Sequence, residues 1–168
     1  YQLFVFDTKL NQVRSLDITL NTNKSIAKEQ TFKVEDNISF FDLSPDGKKL
    51  AFVSRGVLFV SDIEGKFIQS ITMGTERVME VKWLKDNQTL LFSQTYNGYQ
   101  NWFKIAANGK GKAEQLTHDT RNNRDLTFNQ ELTQAVYTSG RDEIRLLDLQ
   151  TFTSKTIVKD EIWAFQSA

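Results

Sequence analysis

Cysteine is absent from this 168-residue chain, and histidine and proline occur once each. The lack of cysteine excludes disulfides, thiol nucleophiles and Cys-ligated zinc, while leaving the redox compartment open. Excess charge of either sign is missing too: 21 Lys and Arg face 21 Asp and Glu. A neutral chain lacks the surplus cations on which general nucleic-acid binding and electrostatic membrane adhesion rest, so neither partner is expected. No unbroken apolar run exceeds four residues, as in Val57 to Val60, far short of the roughly 20 that span a bilayer as a helix. The chain opens at Tyr1 with no signal-type apolar segment. The expectation is that any leader is absent or already removed, which leaves a cytoplasmic or a periplasmic location open. With Pro45 as the lone proline, turns must be built from Gly, Asn and Asp.

What is present favours one architecture. The length suits a single domain able to bury roughly 68–70% of its unfolded surface without a disulfide or metal. Thirteen Phe, four Tyr and three Trp, with many Val, Ile and Thr, favour strands. No stretch sustains a helical apolar pattern over three turns. Three segments then align with one another: Asp42 to Phe52, Lys82 to Phe92 and Thr127 to Tyr137. In each, an apolar residue precedes a polar turn and a short strand that ends in an aromatic. With Asp46, Asp86 and Glu131 taken as equivalent, the intervals are 40 and 45 residues. Periods of about 40–45 residues with four strands apiece are those of propeller blades.

The remainder of each unit fits that plan. Third strands are expected at Val57 to Ser61, Trp102 to Ile105 and Ile144 to Leu147. Turns follow at Ile63-Glu64-Gly65-Lys66, Ala107-Asn108-Gly109-Lys110 and Leu149-Gln150-Thr151, and fourth strands at Phe67 to Thr72, Glu114 to Thr117 and Ser154 to Val158. Leu3 to Asp7 and Val13 to Ile18 match the outer half of a preceding blade, and Glu161 to Phe165 matches the first strand of a following one. The expected fold class is all-β, with about three four-stranded antiparallel blades and partial blades at both ends. That is too few to close a ring, which takes about four to eight. The expected organisation is a blade end over 1–20 and a polar linker over 21–37, in which Thr31 to Val34 resumes a strand signal. A second array follows over 38–168, with blades near 38–73, 74–118 and 119–160.

Ser44-Pro45-Asp46-Gly47-Lys48-Lys49-Leu50-Ala51-Phe52 resembles the blade signature of the TolB, prolyl-oligopeptidase and tricorn propellers. Val53-Ser54-Arg55-Gly56 and the strand after it look most like tricorn-type peptidases. The order of a Phe-Val-Phe-Asp strand, an Arg-Ser-Leu-Asp-Ile strand, a polar linker and a new Ser-Pro-Asp-Gly array is also similar to that family. The later repeats depart from it, with Leu84-Lys85-Asp86-Asn87 and Asn129-Gln130-Glu131-Leu132 in place of Ser-Pro-Asp-Gly. The resemblance implies the propeller region of a serine peptidase that trims short peptides, with the catalytic Ser and His in domains that nothing here matches. No catalytic residue is carried over, and the alternative is a TolB-like scaffold that binds a partner protein. A peptidase region downstream in the full reading frame would favour the first, and a stop codon just past Ala168 the second.

Residues that invite chemistry have plainer readings. His118, beside Asp119, falls where the chain crosses between blades and is read as a polar loop residue. Asn108-Gly109-Lys110-Gly111-Lys112 lacks the Ser or Thr of a P-loop and lies between strands, so it is a hairpin turn. Asp119, Asn122, Asn123 and Asp125 offer oxygen ligands, but Arg121 and Arg124 intrude among them. Trp83 aligns with Leu43 and Phe128 as blade-to-blade core, and Trp102 follows an expected polar loop, Thr95 to Asn101. The triplets beginning at Asn23, Asn37 and Asn87 have the sequon pattern. No cofactor and no metal site are expected.

Strand direction assigns the loops to rims. First-to-second and third-to-fourth turns share one rim; second-to-third loops and blade crossings share the other. The latter collects Arg55, Tyr96, Tyr99 and Arg141 from loops, and Arg77, Arg121 and Arg124 from crossings. Arginine forks pair with carboxylates, so this rim is the expected contact face for peptide substrates or a neighbouring domain. Open blade edges are expected to make the chain self-associate.

Overall fold

The computed structural model describes residues 3–16, 34, 36–72, 74–160 and 165. The chain forms two compact units, Tyr1–Phe32 and Lys33–Ala168. In the first, β1 (Leu3–Asp7) and β2 (Gln12–Leu16) form an antiparallel hairpin in register from Leu3↔Leu16 to Asp7↔Gln12. The Asp7 carboxylate accepts the N–H groups of Lys9 and Leu10, and Asn11 supplies the left-handed residue, φ 51°, that closes the turn.

The second unit contains three four-stranded antiparallel sheets, each with its strands side by side in chain order. The first blade is β3 (Ile38–Leu43), β4 (Lys49–Ser54), β5 (Val57–Asp62) and β6 (Ile68–Ser70). The second is β7 (Val78–Trp83), β8 (Thr89–Tyr96), β9 (Tyr99–Ala106) and β10 (Glu114–Gln115). The third is β11 (Asn123–Phe128), β12 (Gln134–Ser139), β13 (Glu143–Asp148) and β14 (Ser154–Lys159). Described residues contain no helix, and the three sheets do not close a ring.

Two local differences from expectation have a physical cause. Thr95 to Asn101 is not a loop, because Asn97 (φ 50°) and Gly98 (φ 83°) make a two-residue turn that pairs β8 with β9 as far as Tyr96↔Tyr99. Strand β10 stops at Gln115, because the Thr117 hydroxyl takes the Trp102 N–H that a longer ladder would use (2.9 Å). The expected linker lies mostly outside the described residues. So do the continuation of β2 and the strand Glu161 to Phe165 apart from Phe165 itself.

Period-two alternation gives the middle blade two buried faces. Leu90 and Phe92 of β8, with Phe103 and Ile105 of β9, pack on Ala51, Val53, Leu58 and Val60 of the first blade. Leu91 and Trp102 point the other way, onto Ala135, Tyr137 and Leu147 of the third, and the Trp102 and Tyr137 rings meet edge to face at 6.0 Å. Blade stacking therefore creates the core, as expected of repeat folds.

Side chains also bond across blades near the innermost strands. Asp42 of β3 accepts the Trp83 backbone N–H at 2.7 Å, and the Trp83 indole donates to the Asp42 carbonyl at 3.2 Å. Glu80 of β7 accepts the N–H groups of Asp125 (3.0 Å) and Leu126 (3.3 Å), where β11 bulges between Arg124 and Thr127 and leaves those donors unpaired. Burial raises the Glu80 pKa against the lowering effect of these bonds.

Glu80→Ala leaves two backbone donors without acceptors and should cost about 1–3 kcal/mol. With its folded pKa raised, Glu80 contributes stability in full below its ordinary value of 4.5, and loses that contribution as pH rises through the raised value. The deficit of the variant should therefore narrow from acid towards neutral pH. Urea unfolding across that range tests this, and a gap that widens with pH would contradict it.

Two turn residues in the third blade carry strain. Leu132 (φ 55°) stands where the first blade has Gly47 (φ 69°) and the second Asn87 (φ 56°). Phe152 (φ 54°) supplies the positive φ of the β13–β14 turn, a role taken by Gly65 and Gly109 in the other blades. Bulky L-residues held there cost about 1–2 kcal/mol each.

Candidate functional site

On the rim formed by second-to-third turns and crossings, Arg55 and Arg77 line a cleft of about 500 Å³ with Asn37, Ser39 and Met79. The β4–β5 turn is the pair Arg55-Gly56, both at positive φ (52° and 82°). Arg77 lies over Gly56, whose φ favours glycine and where an added Cβ would press on the Arg77 side chain at 3.1 Å from its Nε. The crossing is pinned through its backbone. Val78 donates to the Gly56 carbonyl (2.9 Å), Arg77 donates to the Thr95 hydroxyl (2.9 Å), and that hydroxyl donates to Glu76 (2.6 Å). One cleft thus combines a loop and a crossing of two neighbouring blades.

The other expected rim residues have different surroundings. Tyr96 and Tyr99 face each other across the Asn97-Gly98 turn, remain 45% and 39% exposed, and Tyr96 sets its edge against Phe103. Arg121 pairs with Asp142, and with Glu143 at 2.7 Å, and covers Gly140 as Arg77 covers Gly56. The Arg124 guanidinium donates to the Phe165 carbonyl at 3.4 Å, while the Arg141 carbonyl accepts the Phe165 N–H at 2.7 Å. Arg55 and Arg77 are therefore brought together, whereas Arg121 is held by acidic neighbours within its own blade.

Arg145, which sequence reasoning missed, anchors that acidic network. Its guanidinium reaches Glu143 at 2.8 Å and Asp119 at 2.9 Å, and Asp119 also accepts from the Asn123 side chain at 2.8 Å. Burial acts to raise the Glu143 pKa, but hydrogen bonds from Arg145 and Arg121 prevail and hold it below the usual range. The signal in the sequence was Glu143 and Arg145 two apart on one strand, hence on one face. Asp119 faces this network, while His118 beside it is exposed. Of the other oxygen-bearing residues in that stretch, Asn122 accepts the Gln100 N–H at 3.0 Å, and among the described residues no group of three or more His, Cys, Asp or Glu is arranged to hold a metal ion. Trp83 and Trp102 are both buried.

A larger cleft, about 620 Å³, opens on the opposite rim between the second and third blades, where no contact residue was expected.

Four-stranded meanders stacked face to face define an open segment of a β-propeller. Among solved structures the chain is similar to a protein assigned as TolB from Agrobacterium tumefaciens: TM-score 0.60, 18% identity, covering 68% of this chain and 47% of that one. It is also similar to the tricorn protease, with TM-score 0.59 and 21% identity over 96% of this chain and 15% of that one. TolB from Acinetobacter baumannii gives TM-score 0.57 and 15% identity over 95% and 38%. The chain spans less than half the length of each. No family model matches it, and no curated protein does.

Proposed function

We propose that this chain is a non-catalytic propeller region of a peptide-processing protein, and that its loop-and-crossover rim contacts peptides or a neighbouring domain. The Arg55–Arg77 cleft carries this reading: two arginine side chains line one concavity, that of Arg77 lying over Gly56. Guanidinium groups so placed suit carboxylates, such as peptide C-termini or an acidic partner surface. The likeness to the tricorn protease supports a role as a gate or scaffold for peptides. Exposed Tyr96 and Tyr99 favour a second reading, a TolB-like scaffold whose partner is another protein.

In the parent protein, Arg77→Ala combined with Arg124→Ala should slow peptide turnover severalfold, with the loss shrinking at high salt. Equivalent changes at Lys48, Lys66 and Lys110, on the other rim, should leave turnover intact. If those lysines do the damage instead, the rim assignment is wrong.

Self-association belongs to the same proposal. Phe41 and Leu43 of β3 are 67% and 51% exposed, beside the stacked rings of Phe52 and Phe59 on the same sheet. Such a face suits another blade. Sedimentation over a concentration series should show association, and a monomer throughout would count against it.

A further inference from the structure

The cleft between the second and third blades has a composition that turn formation does not require. Leu84, Ile105 and Leu149 line it together with Leu132 and Phe152. Positive-φ turn positions select Gly or Asn, as Gly47, Asn87, Gly65 and Gly109 illustrate. Among the described residues, the two at which a bulky apolar side chain takes positive φ, Leu132 and Phe152, both line this cleft.

Its charges are unevenly engaged. Asp86 accepts the Gln88 and Thr89 N–H groups and the Thr89 hydroxyl, at 2.9, 2.8 and 2.6 Å. Glu114 pairs with Lys104 at 3.2 Å, and the Lys104 ammonium lies 4.0 Å from the centre of the Phe152 ring. Lys85 and Lys112, both exposed lining residues, make no ion pair among the described residues. They stand on the β7–β8 and β9–β10 turns, two strand spacings apart, or about 10 Å.

We propose that this cleft docks an extended segment of a partner protein in which one bulky apolar side chain lies between two acidic residues. The apolar side chain enters between Leu132 and Phe152, above Leu84 and Leu149. In an extended chain its two neighbours point back out of the cleft and stand about 7 Å apart. That separation lies within reach of two lysine side chains rooted about 10 Å apart and leaning inwards. The proposal is independent of the reading of the opposite rim.

The test is an NMR titration of the full 168-residue chain with the capped peptide acetyl-Gly-Ser-Asp-Phe-Glu-Ser-Gly-amide. Saturable shifts should centre on Leu132, Phe152 and Leu149. The Asn/Gln analogue of the peptide should bind about tenfold more weakly, and so should the wild-type peptide to Lys85→Ala/Lys112→Ala. Leu132→Gly should also lose about tenfold while melting no lower than wild type, because glycine accepts the positive φ; this separates lost binding from lost folding. Equal affinity for both peptides, unchanged binding to Leu132→Gly, or no shift at about 1 mM peptide would overturn the proposal. Cleft shifts that depend on protein concentration without peptide would also overturn it, since the occupant would then be a second copy of the chain.

Discussion

Replacing Trp83 by alanine should lower the stability of the three-blade unit by about 3–5 kcal/mol, the largest loss expected of any single truncation here. The ring is 1% exposed and belongs to the core shared by the first two blades. Its indole N–H donates to the Asp42 carbonyl at 3.2 Å, and the Lys49 ammonium lies 5.9 Å from the ring centre. Truncation opens a cavity at the blade interface and removes a donor from the part-buried Asp42 carbonyl at the same time. A domain stabilised by only about 5–15 kcal/mol would lose a large share of its margin. Phenylalanine provides the control. At Trp83 it still removes the bond to Asp42, whereas the Trp102 indole N–H has no acceptor among the described residues. Trp83→Phe should therefore cost more than Trp102→Phe. Urea unfolding followed by far-UV circular dichroism measures both, and a loss below about 1 kcal/mol for Trp83→Ala would show that the interface repacks.

Arg145→Ala should cost about 2–4 kcal/mol, because it leaves Glu143 and Asp119 as largely buried carboxylates with one fewer cation. Side-chain exposures of 17% for Arg145, 10% for Glu143 and 20% for Asp119 place the group mostly out of water. Arg145→Lys keeps the charge but not the fork that serves both carboxylates, and should fall between wild type and alanine. The pH dependence is opposite in sign to that of Glu80. Glu143 has a folded pKa below its ordinary 4.5. Its contribution is thus present above that value and lost as pH falls through the depressed one. Acidification should erode wild type more than Arg145→Ala, so the two stabilities converge at low pH. Parallel profiles down to about pH 3 would show that Glu143 does not titrate against Arg145.

The repeat was legible because each blade restates a local pattern: an apolar residue, a tight polar turn, and a strand ending in an aromatic. Phe52, Phe92 and Tyr137 occupy matching places on β4, β8 and β12. Trp83 could be assigned to the core by its alignment with Leu43 and Phe128. The tight turn of the β8–β9 hairpin was missed although Asn97-Gly98 is a strong two-residue turn signal, because the polar residues around it read as loop. Arg121 was read as a rim cation because its partners, Asp142 and Glu143, lie about twenty residues further along the chain. Such a pairing is created by the fold and leaves no local trace.

By itself the sequence determined an all-β chain of four-stranded repeats, the alternation that buries both faces of the middle blade, and the division of loops between two rims. These follow from period-two patterning and turn chemistry, which act between near neighbours. Only the tertiary structure decided how the charged and strained residues meet. It set Arg77 on Gly56, closed Arg145 around Glu143 and Asp119, and gave Glu80 to the bulge of the next blade. It also turned two unusual turn residues, Leu132 and Phe152, towards one inter-blade cleft. Those contacts join residues from different strands and blades, and their geometry comes from stacking, in which each sheet buries a face against the next.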